Sequence, residues 1–342
     1  MHTALVGAGS LGTIIGALLS KGGVDVVLVD ANLEHVKALN SRGAQVVGCM
    51  DCVTPVKAIV PAEMKGVYDL VIYLVKGTYD EVALPQVRPY LGSHSTLITL
   101  QNGVPEDKVA SFIGRGRTTG GAVGWGAMWL RPGVSELLTS EPEKMTYDIG
   151  ELDGSITDRI KKVKQVLDNA GHATITENLV GVRWTKLLIN ASMSGLSTVL
   201  GCNYGAVIDD HKAVTAAVFI ILETIKTARA LGIRLEPMQG VDPGLLLDIA
   251  KQNIRDSENM VKLVIDPHRG TKASMLQDLE KGLPCEVEAI NGYLARMAAQ
   301  AKIHTPVNDQ VTSMIREIQA AGMRAEFSNI ERIRLPQLSI YF

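Results

Sequence analysis

Cysteine is scarce in this chain: four residues in 342, at Cys49, Cys52, Cys202 and Cys285. So low a number in a chain this long points to a reducing compartment and excludes a scaffold stapled by disulfides. Cys49 and Cys52 have the C-x-x-C spacing. No second such pair and no close pair of histidines completes a zinc site, and "QVVGCMDCVTPV" reads as strand and turn, not as the helix start that a thioredoxin-like motif needs. The two are read as ordinary thiols, and no metal is expected. Net charge is also small, -2. Nucleic acids and membrane surfaces favour strong positive charge, so neither is an expected partner. No apolar run reaches the roughly 18 residues that a membrane span needs. No basic stretch precedes the first strand, which begins at Thr3, so a secretory signal is not expected either. Cytoplasmic location follows as an expectation.

Hydrophobic residues make up 46% of the chain and charged residues 20%, an ordinary globular balance, and the length suits two domains. Short apolar strands at 3–6 and 26–29 alternate with helical spacing of Leu11, Ile14, Ile15, Leu18 and Leu19 and with a helix from about 33 to 41. The runs at 70–75 and 96–100 are continuously apolar, as in strands buried on both faces of a parallel sheet. That alternation predicts a doubly wound sheet. Glycines at 120, 121, 124 and 126 flank another strand-like piece, "MTYDIGELDG" resembles a further one, and 155–170 is an amphipathic helix. From about residue 180 strand signals vanish, and helices are expected over 182–200, 211–231, 243–257, 271–281, 286–301 and 306–320. The plan is therefore an α/β domain over 1–178 and an all-helical domain over 179–342, with no internal repeat. The tail "RIRLPQLSIYF" runs from polar to apolar and either packs on a neighbour or frays.

"LVGAGSLGTIIGALL" sets Gly7, Gly9 and Gly12 in the order G-x-G-x-x-G, directly after a strand and opening a helix. In that context the pattern predicts a dinucleotide site. Gly7 allows the tight turn, Gly9 lets the pyrophosphate approach the backbone, and Gly12 lets the helix pack on the strand. Ala8, Ser10 and Leu11 complete the phosphate-facing turn at the helix N-terminus. Asp30 follows the second strand, where a carboxylate accepts from ribose hydroxyls and repels a 2′-phosphate. No Lys or Arg occupies 31–34, so NAD(H) is expected over NADP(H). The bland alternative for Asp30 is a helix cap or a surface charge, and neighbouring Asn32 could cap equally well.

"VRWTKLLINASMSGL" reads as an apolar helix that carries Lys186 and Asn190 four residues apart, hence on one face, with Ser194 a further turn along the same line. A buried lysine is costly unless something pairs with it or uses it. Read by itself, Lys186 fits a lysine snorkelling at a domain boundary.

Taken together, the glycine turn, "LVKGTYDE", "LQNGV", "RWTKLLIN", "KASMLQDLEKG" and "EVEAINGYL" resemble the ketopantoate reductase family, over about residues 2 to 320. The resemblance implies a Rossmann-type domain followed by a helical domain like that of 6-phosphogluconate dehydrogenase, an active site in the cleft between them, and hydride reduction of a 2-oxo acid. It implies that Lys186 is the proton donor. Hydride delivery to a ketone leaves an alkoxide, which an ammonium can protonate and stabilise. Glu286 becomes the second catalytic group, touching cofactor or substrate. Its competing role is a first-turn acid on the helix dipole, with Glu288 only two residues away. Asn190 and Ser194 bind the substrate, Ser274 its carboxylate, Asn102 sits between nicotinamide and substrate, and Lys76 touches the cofactor. Asn291 is expected to be structural.

Three positions depart from the family pattern. Ser194 and Tyr204 stand where substrate asparagines are usual, and Asp30 replaces the basic residue usual in NADPH-dependent members. Trp125 and Trp129 could reshape the pocket or belong to the core. Ketopantoate is the default substrate; another branched or hydroxylated 2-oxo acid, or a nicotinamide-binding sensor without turnover, are the alternatives. The resemblance and the run "AAVFIILETI" suggest a homodimer, though the same run could be a buried central helix.

Overall fold

A computed structural model of the chain describes residues 1–139, 144–238 and 240–342. The chain divides into two compact units, Met1–Leu179 and Val180–Phe342.

The first unit is built on strands β1 (Thr3–Val6), β2 (Val26–Val29), β3 (Ala44–Gly48), β4 (Cys52–Thr54), β5 (Lys57–Ile59), β6 (Leu70–Tyr73), β7 (Thr96–Thr99), β8 (Thr118–Val123), β9 (Ala127–Arg131), β10 (Val134–Leu137), β11 (Thr146–Glu151) and β12 (His172–Ile175). Its helices are α1 (Ser10–Lys21), α2 (Leu33–Arg42), α3 (Asp80–Val87), α4 (Glu106–Ile113) and α5 (Asp158–Leu167). The main sheet has eight strands in the order β12-β11-β8-β7-β6-β1-β2-β5. All neighbours are parallel except β8 and β11. The chain order reverses at β1 and β6, which is the switch point where such sheets bind ligands.

The expectation that the apolar runs are buried on both faces holds: every residue of β1, β2, β6 and β7 is buried. Their side chains alternate between two cores. Leu5, Leu28, Ile72 and Ile98 join Ile14, Ile15 and Leu19 of α1 on one face. Ala4, Val27, Val71 and Leu97 join Leu84 of α3 and Val109 of α4 on the other. Strands β4-β3-β10-β9 form a second, four-stranded sheet that the periodicity did not reveal. It packs on the far side of α1, which also contacts β1 and β2. Sheets on both sides explain why α1 is buried nearly all round. Cys49 lies exposed in the turn after β3, and Cys52 opens β4.

The second unit contains α6 (Leu179–Ile189, whose first residue closes the first unit), α7 (Gly195–Leu200), α8 (Tyr204–Asp209), α9 (His211–Ala230), α10 (Leu245–Gln252), α11 (Ile254–Ile265), α12 (Ser274–Glu280), α13 (Asn291–Gln300) and α14 (Pro306–Gln319). Among the described residues no helix is long and apolar enough to cross a membrane. Three expected helices are corrected. The segment 182–200 is not one α-helix, because residues Asn190–Ser194 form a π turn between α6 and α7. The segment 243–257 breaks at Asn253, whose extended backbone and side chain cap α11 by accepting from Arg255 N–H. Residues 286–290 are successive turns, so α13 starts at Asn291 and Glu286 is not in its first turn.

The apolar run in α9 is a central helix: Ala213 to Ile225 are all buried within this one chain. It therefore supplies no free face for a second copy. The C-terminal tail packs on its own α9. Tyr341 is buried with its hydroxyl donating to Glu223 Oε1 at 2.8 Å, its ring 5.0 Å from that of Phe219, and Lys226 Nζ lies 5.8 Å from the same ring. Glu223 also accepts from the N–H groups of Val307 and Asn308, both at 2.9 Å, in the first turn of α14. Burial pushes its carboxyl up to about 7 against those three donors.

Candidate active site

In the first unit the glycine turn joins β1 to α1 at the switch point. Gly7 has φ +93°, and a Cβ there would stand 2.6 Å from Val75 N at the end of β6. Position and conformation both demand glycine. A Cβ on Gly12 would collide with the Gly7 carbonyl oxygen. Gly9 differs from both: a Cβ there meets nothing within 4 Å. No packing inside this chain requires that glycine, so the requirement points to a ligand approaching the backbone. Gly9 is also the N-cap of α1 and gives it no side-chain cap. The first-turn N–H groups, at Ser10, Leu11 and Gly12, are thereby left to an outside acceptor such as a pyrophosphate. These residues fit a dinucleotide.

Asp30 follows β2, half-buried, and accepts from Asn32 N–H at 2.8 Å. Asn32 is the cap of α2, accepting from Glu34 and His35 N–H, so Asp30 is not needed as that cap. Lys76 and Asn102 lie just past the ends of β6 and β7, on the same edge of the sheet, and both are part-exposed. A buried network holds these two loops. Gln101 Nε2 donates to Val75 O at 2.7 Å and to Asp80 Oδ1 at 2.8 Å, and Tyr73 OH donates to the same Oδ1 at 3.0 Å. Lys108 Nζ stands 3.3 Å from Asp80 Oδ2. Burial raises the Asp80 carboxyl above its usual range, opposed by the bonds from Gln101 and Lys108. Gln101 and Asp80 thus fix the residues next to Asn102 and Lys76. Sequence reasoning missed both, because their partners include residues 26 and 28 positions away.

In the second unit Val182, Lys186, Ile189 and Asn190 form a part-exposed stripe on a helix whose other residues from Arg183 onward are buried. Lys186 and Asn190 therefore share an accessible face, as the spacing predicts. Ser194 leaves that line. The π turn takes more residues per turn, with Gly195 N–H donating to Asn190 O five positions back. Ser194 is only 5% exposed and its hydroxyl bonds Tyr204 OH at 2.6 Å. The π turn frees carbonyls that other side chains satisfy. Ser192 Oγ donates to Leu188 O at 2.6 Å, and Asn291 Nδ2 donates to Ala191 O at 2.9 Å. Asn291 is structural, as expected, and Gly195 makes room for its amide: a Cβ there would stand 2.9 Å from Nδ2.

That contact brings the start of α13 to the π turn, on which α12 also packs, and Glu286 lies five residues before it in the chain. Glu286 is 5% exposed, whereas Glu288 faces solvent and pairs with Arg316 and Arg296. The Arg316 bonds hold the Glu288 carboxyl below its usual range. Of the two glutamates, Glu286 is the buried candidate. Ser274 is exposed at the first position of α12, after the cap residue Ala273.

The remaining candidates fall elsewhere. Trp125 is a core residue, edge-on to Tyr147 at 6.1 Å. Trp129 lies on β9 beside His35, with ring centroids 6.2 Å apart. Among the described residues no group of three or more His, Cys, Asp or Glu side chains could hold a metal ion.

Comparison with known proteins bears on the fold and the family. The model of the ketopantoate reductase PanE/ApbA family matches residues 3–153, and that of its C-terminal domain matches residues 178–319. A 2-dehydropantoate 2-reductase of Pyrococcus horikoshii is 27% identical over 325 residues, covering 94% of this chain and 99% of its own. One from Mesorhizobium japonicum is 26% identical, covering 93% and 98%. Among solved structures, a 2-dehydropantoate 2-reductase from Geobacter metallireducens superposes with TM-score 0.80 at 26% identity, over 93% of this chain and 99% of that one. A D-mandelate dehydrogenase solved with NADH and anilino(oxo)acetate superposes with TM-score 0.81 at 22% identity, over 94% and 99%, a likeness of fold. The chain is an oxidoreductase acting on CH–OH groups, and the reading as a sensor without turnover gives way. Both of its units, the α/β one with its glycine turn and the helical one, belong to the ketopantoate reductase family.

Proposed function

We propose that the chain reduces ketopantoate to pantoate with Lys186 as proton donor. The observation that carries this is the part-exposed pair Lys186 and Asn190, four residues apart on the one stripe that is not buried from Arg183 onward. The bound nicotinamide supplies a hydride to the carbonyl carbon. The carbonyl oxygen then gains negative charge, and the Lys186 ammonium stabilises it and donates the proton that completes the alcohol. Lys186 is reprotonated from water. Asn190 hydrogen-bonds the substrate beside the reacting oxygen, and the exposed Ser274 receives the carboxylate. Glu286, buried in the turn before α13, contacts cofactor or substrate. In the first unit Gly7 to Gly12 hold the pyrophosphate, while Asn102 and Lys76 serve the nicotinamide end. Asp30, spared from capping α2, accepts from the ribose hydroxyls and disfavours a 2′-phosphate, which supports NADH over NADPH. Two copies associating as a dimer remain part of the proposal on the family resemblance alone.

One observation favours a second substrate. Ser194 and Tyr204 replace family asparagines and bond each other, so neither hydroxyl is fully available to a substrate hydroxyl. A branched 2-oxo acid without that hydroxyl suits such a site better. The test follows loss of reduced-cofactor absorbance with ketopantoate, run in parallel with NADH and NADPH, then with unhydroxylated branched 2-oxo acids. Faster turnover of ketopantoate with NADH is expected. Preference for NADPH would overturn the role given to Asp30. Turnover confined to the unhydroxylated acids would establish the second reading.

A further inference from the structure

His35 lies in the first turn of α2, is 1% exposed, and has no place in the chemistry above. Its Nε2 stands 2.7 Å from the carbonyl oxygen of Ala8, the residue between Gly7 and Gly9. Its Nδ1 faces two donors, Gly133 N–H at 3.0 Å, in the turn between β9 and β10, and Trp129 Nε1 at 3.5 Å. An acceptor on one side and donors on the other define a neutral ring with the proton on Nε2. The Ala8 oxygen is held twice, since Thr13 Oγ1 also donates to it at 2.7 Å.

A trans peptide sets its N–H opposite its C=O. With the Ala8 oxygen fixed inward by His35 and Thr13, the Gly9 N–H of the same peptide points the other way. A Cβ built on Gly9 meets nothing within 4 Å, so there is open space for a ligand at this residue. We propose that His35 is a positioning residue for the cofactor: through the Ala8 carbonyl it aims the Gly9 N–H at the dinucleotide pyrophosphate. The same ring ties the pyrophosphate turn to α2, whose N-terminal approach carries Asp30, and to the second sheet through Gly133. The two ends of the adenosine diphosphate half of the cofactor are thereby set against one fixed part. The plain competing role is a satisfied core histidine that only stabilises the fold.

The experiment uses the full chain and NADH. Dissociation constants are measured by titration for the wild type, His35→Leu and His35→Gln, with melting temperatures alongside. The Gly9 amide resonance is followed during each titration. Losing one aimed N–H to phosphate bond should raise the NADH Kd about tenfold or more in His35→Leu. His35→Gln, which keeps a donor near the Ala8 oxygen, should restore part of the affinity. The loss should fall on KM for the cofactor and not on KM for the oxo acid. The shift of the Gly9 amide on binding NADH should shrink in His35→Leu and recover in His35→Gln. Should His35→Leu fail to fold, Thr13→Val removes the other donor to the same oxygen and should show the same pattern at smaller size. A folded His35→Leu, or Thr13→Val in its place, with NADH affinity and Gly9 shift like the wild type would overturn the proposal and leave His35 a core residue.

Discussion

The glycine turn after β1 and the π turn after α6 both interrupt regular backbone beside candidate site residues, yet they are held in different ways. The glycine turn is written in its own residues, Gly7 by its φ of +93° and Gly12 by the Gly7 oxygen against it, with His35 and Val75 adding distant contacts. The π turn is specified from far away. Asn291, 100 positions on, satisfies the Ala191 carbonyl, and Gly195 yields the space for it. A site for a cofactor common to many enzymes can be written into a short motif. A site for one substrate is assembled from distant side chains, so it varies with little trace in local pattern.

That contrast can be broken most forcefully at Lys186. If the second unit supplies the proton and the first binds the cofactor, Lys186→Ala lowers kcat by about 10²–10⁴-fold. Its NADH dissociation constant should stay near the wild-type value. Steady-state kinetics and a binding titration decide this, and undiminished kcat would remove Lys186 from the mechanism. Next in size is the pair within the glycine turn. Gly12→Ala should destabilise by about 3 kcal/mol through overpacking. Gly9→Ala should leave the denaturation midpoint near wild type and weaken NADH binding instead. If both variants lost stability alike, Gly9 would be a packing residue after all.

The helical unit has its own pH signature. Glu223 has its carboxyl raised from the usual 4.5 to about 7, with burial the largest cause. Its contribution to stability is then complete below about pH 4.5 and is lost as pH rises through 7. From this group the unfolding free energy should fall on the order of 3 kcal/mol between pH 4.5 and 8. Glu223→Gln should flatten that part of the profile in chemical denaturation, and an unchanged slope would assign it to other groups. The smallest effect is expected at Asn291. Asn291→Leu strands the Ala191 carbonyl and should cost about 1–3 kcal/mol. Retained stability would mean that the π turn supports itself.

The legibility of the sequence follows the same division. Strands β1, β2, β6 and β7 could be read directly, because a strand buried on both faces is a run of apolar residues whatever its neighbours are. Strands β9 and β10 could not. Their sheet forms by pairing β10 with the distant β3, and β9 is only partly buried. Helical periodicity marked α6, α9 and α14 but not where helices end. Asn253 breaks one helix by capping the next, and the turns at 286–290 keep Val287 and Ile290 buried without being helical. Lys186 and Asn190 were readable as a pair because α6 runs on to Ile189, the residue before Asn190. Ser194 was misplaced because the stretch from Asn190 to Ser194 is a π turn. His35, Gln101 and Asp80 left no local signal; each acts through contacts that only the folded sheet creates.

The docking of Tyr341 on Glu223 has a consequence for the order in which the molecule is made. The two residues are 118 positions apart, and α14, whose first turn Glu223 also caps, lies between them. A chain growing from its N-terminus has made all of the first unit and α9 long before either partner exists. Until residues 307, 308 and 341 leave the ribosome, the Glu223 carboxyl has none of its three donors, and the flank of α9 at Phe219 lacks its covering ring. Domains fold as units during synthesis, N-terminal first. The nicotinamide-binding unit is therefore complete while the helical unit still waits on its last turns, and the flank of α9 at Phe219 and Glu223 is among the last surfaces to be covered.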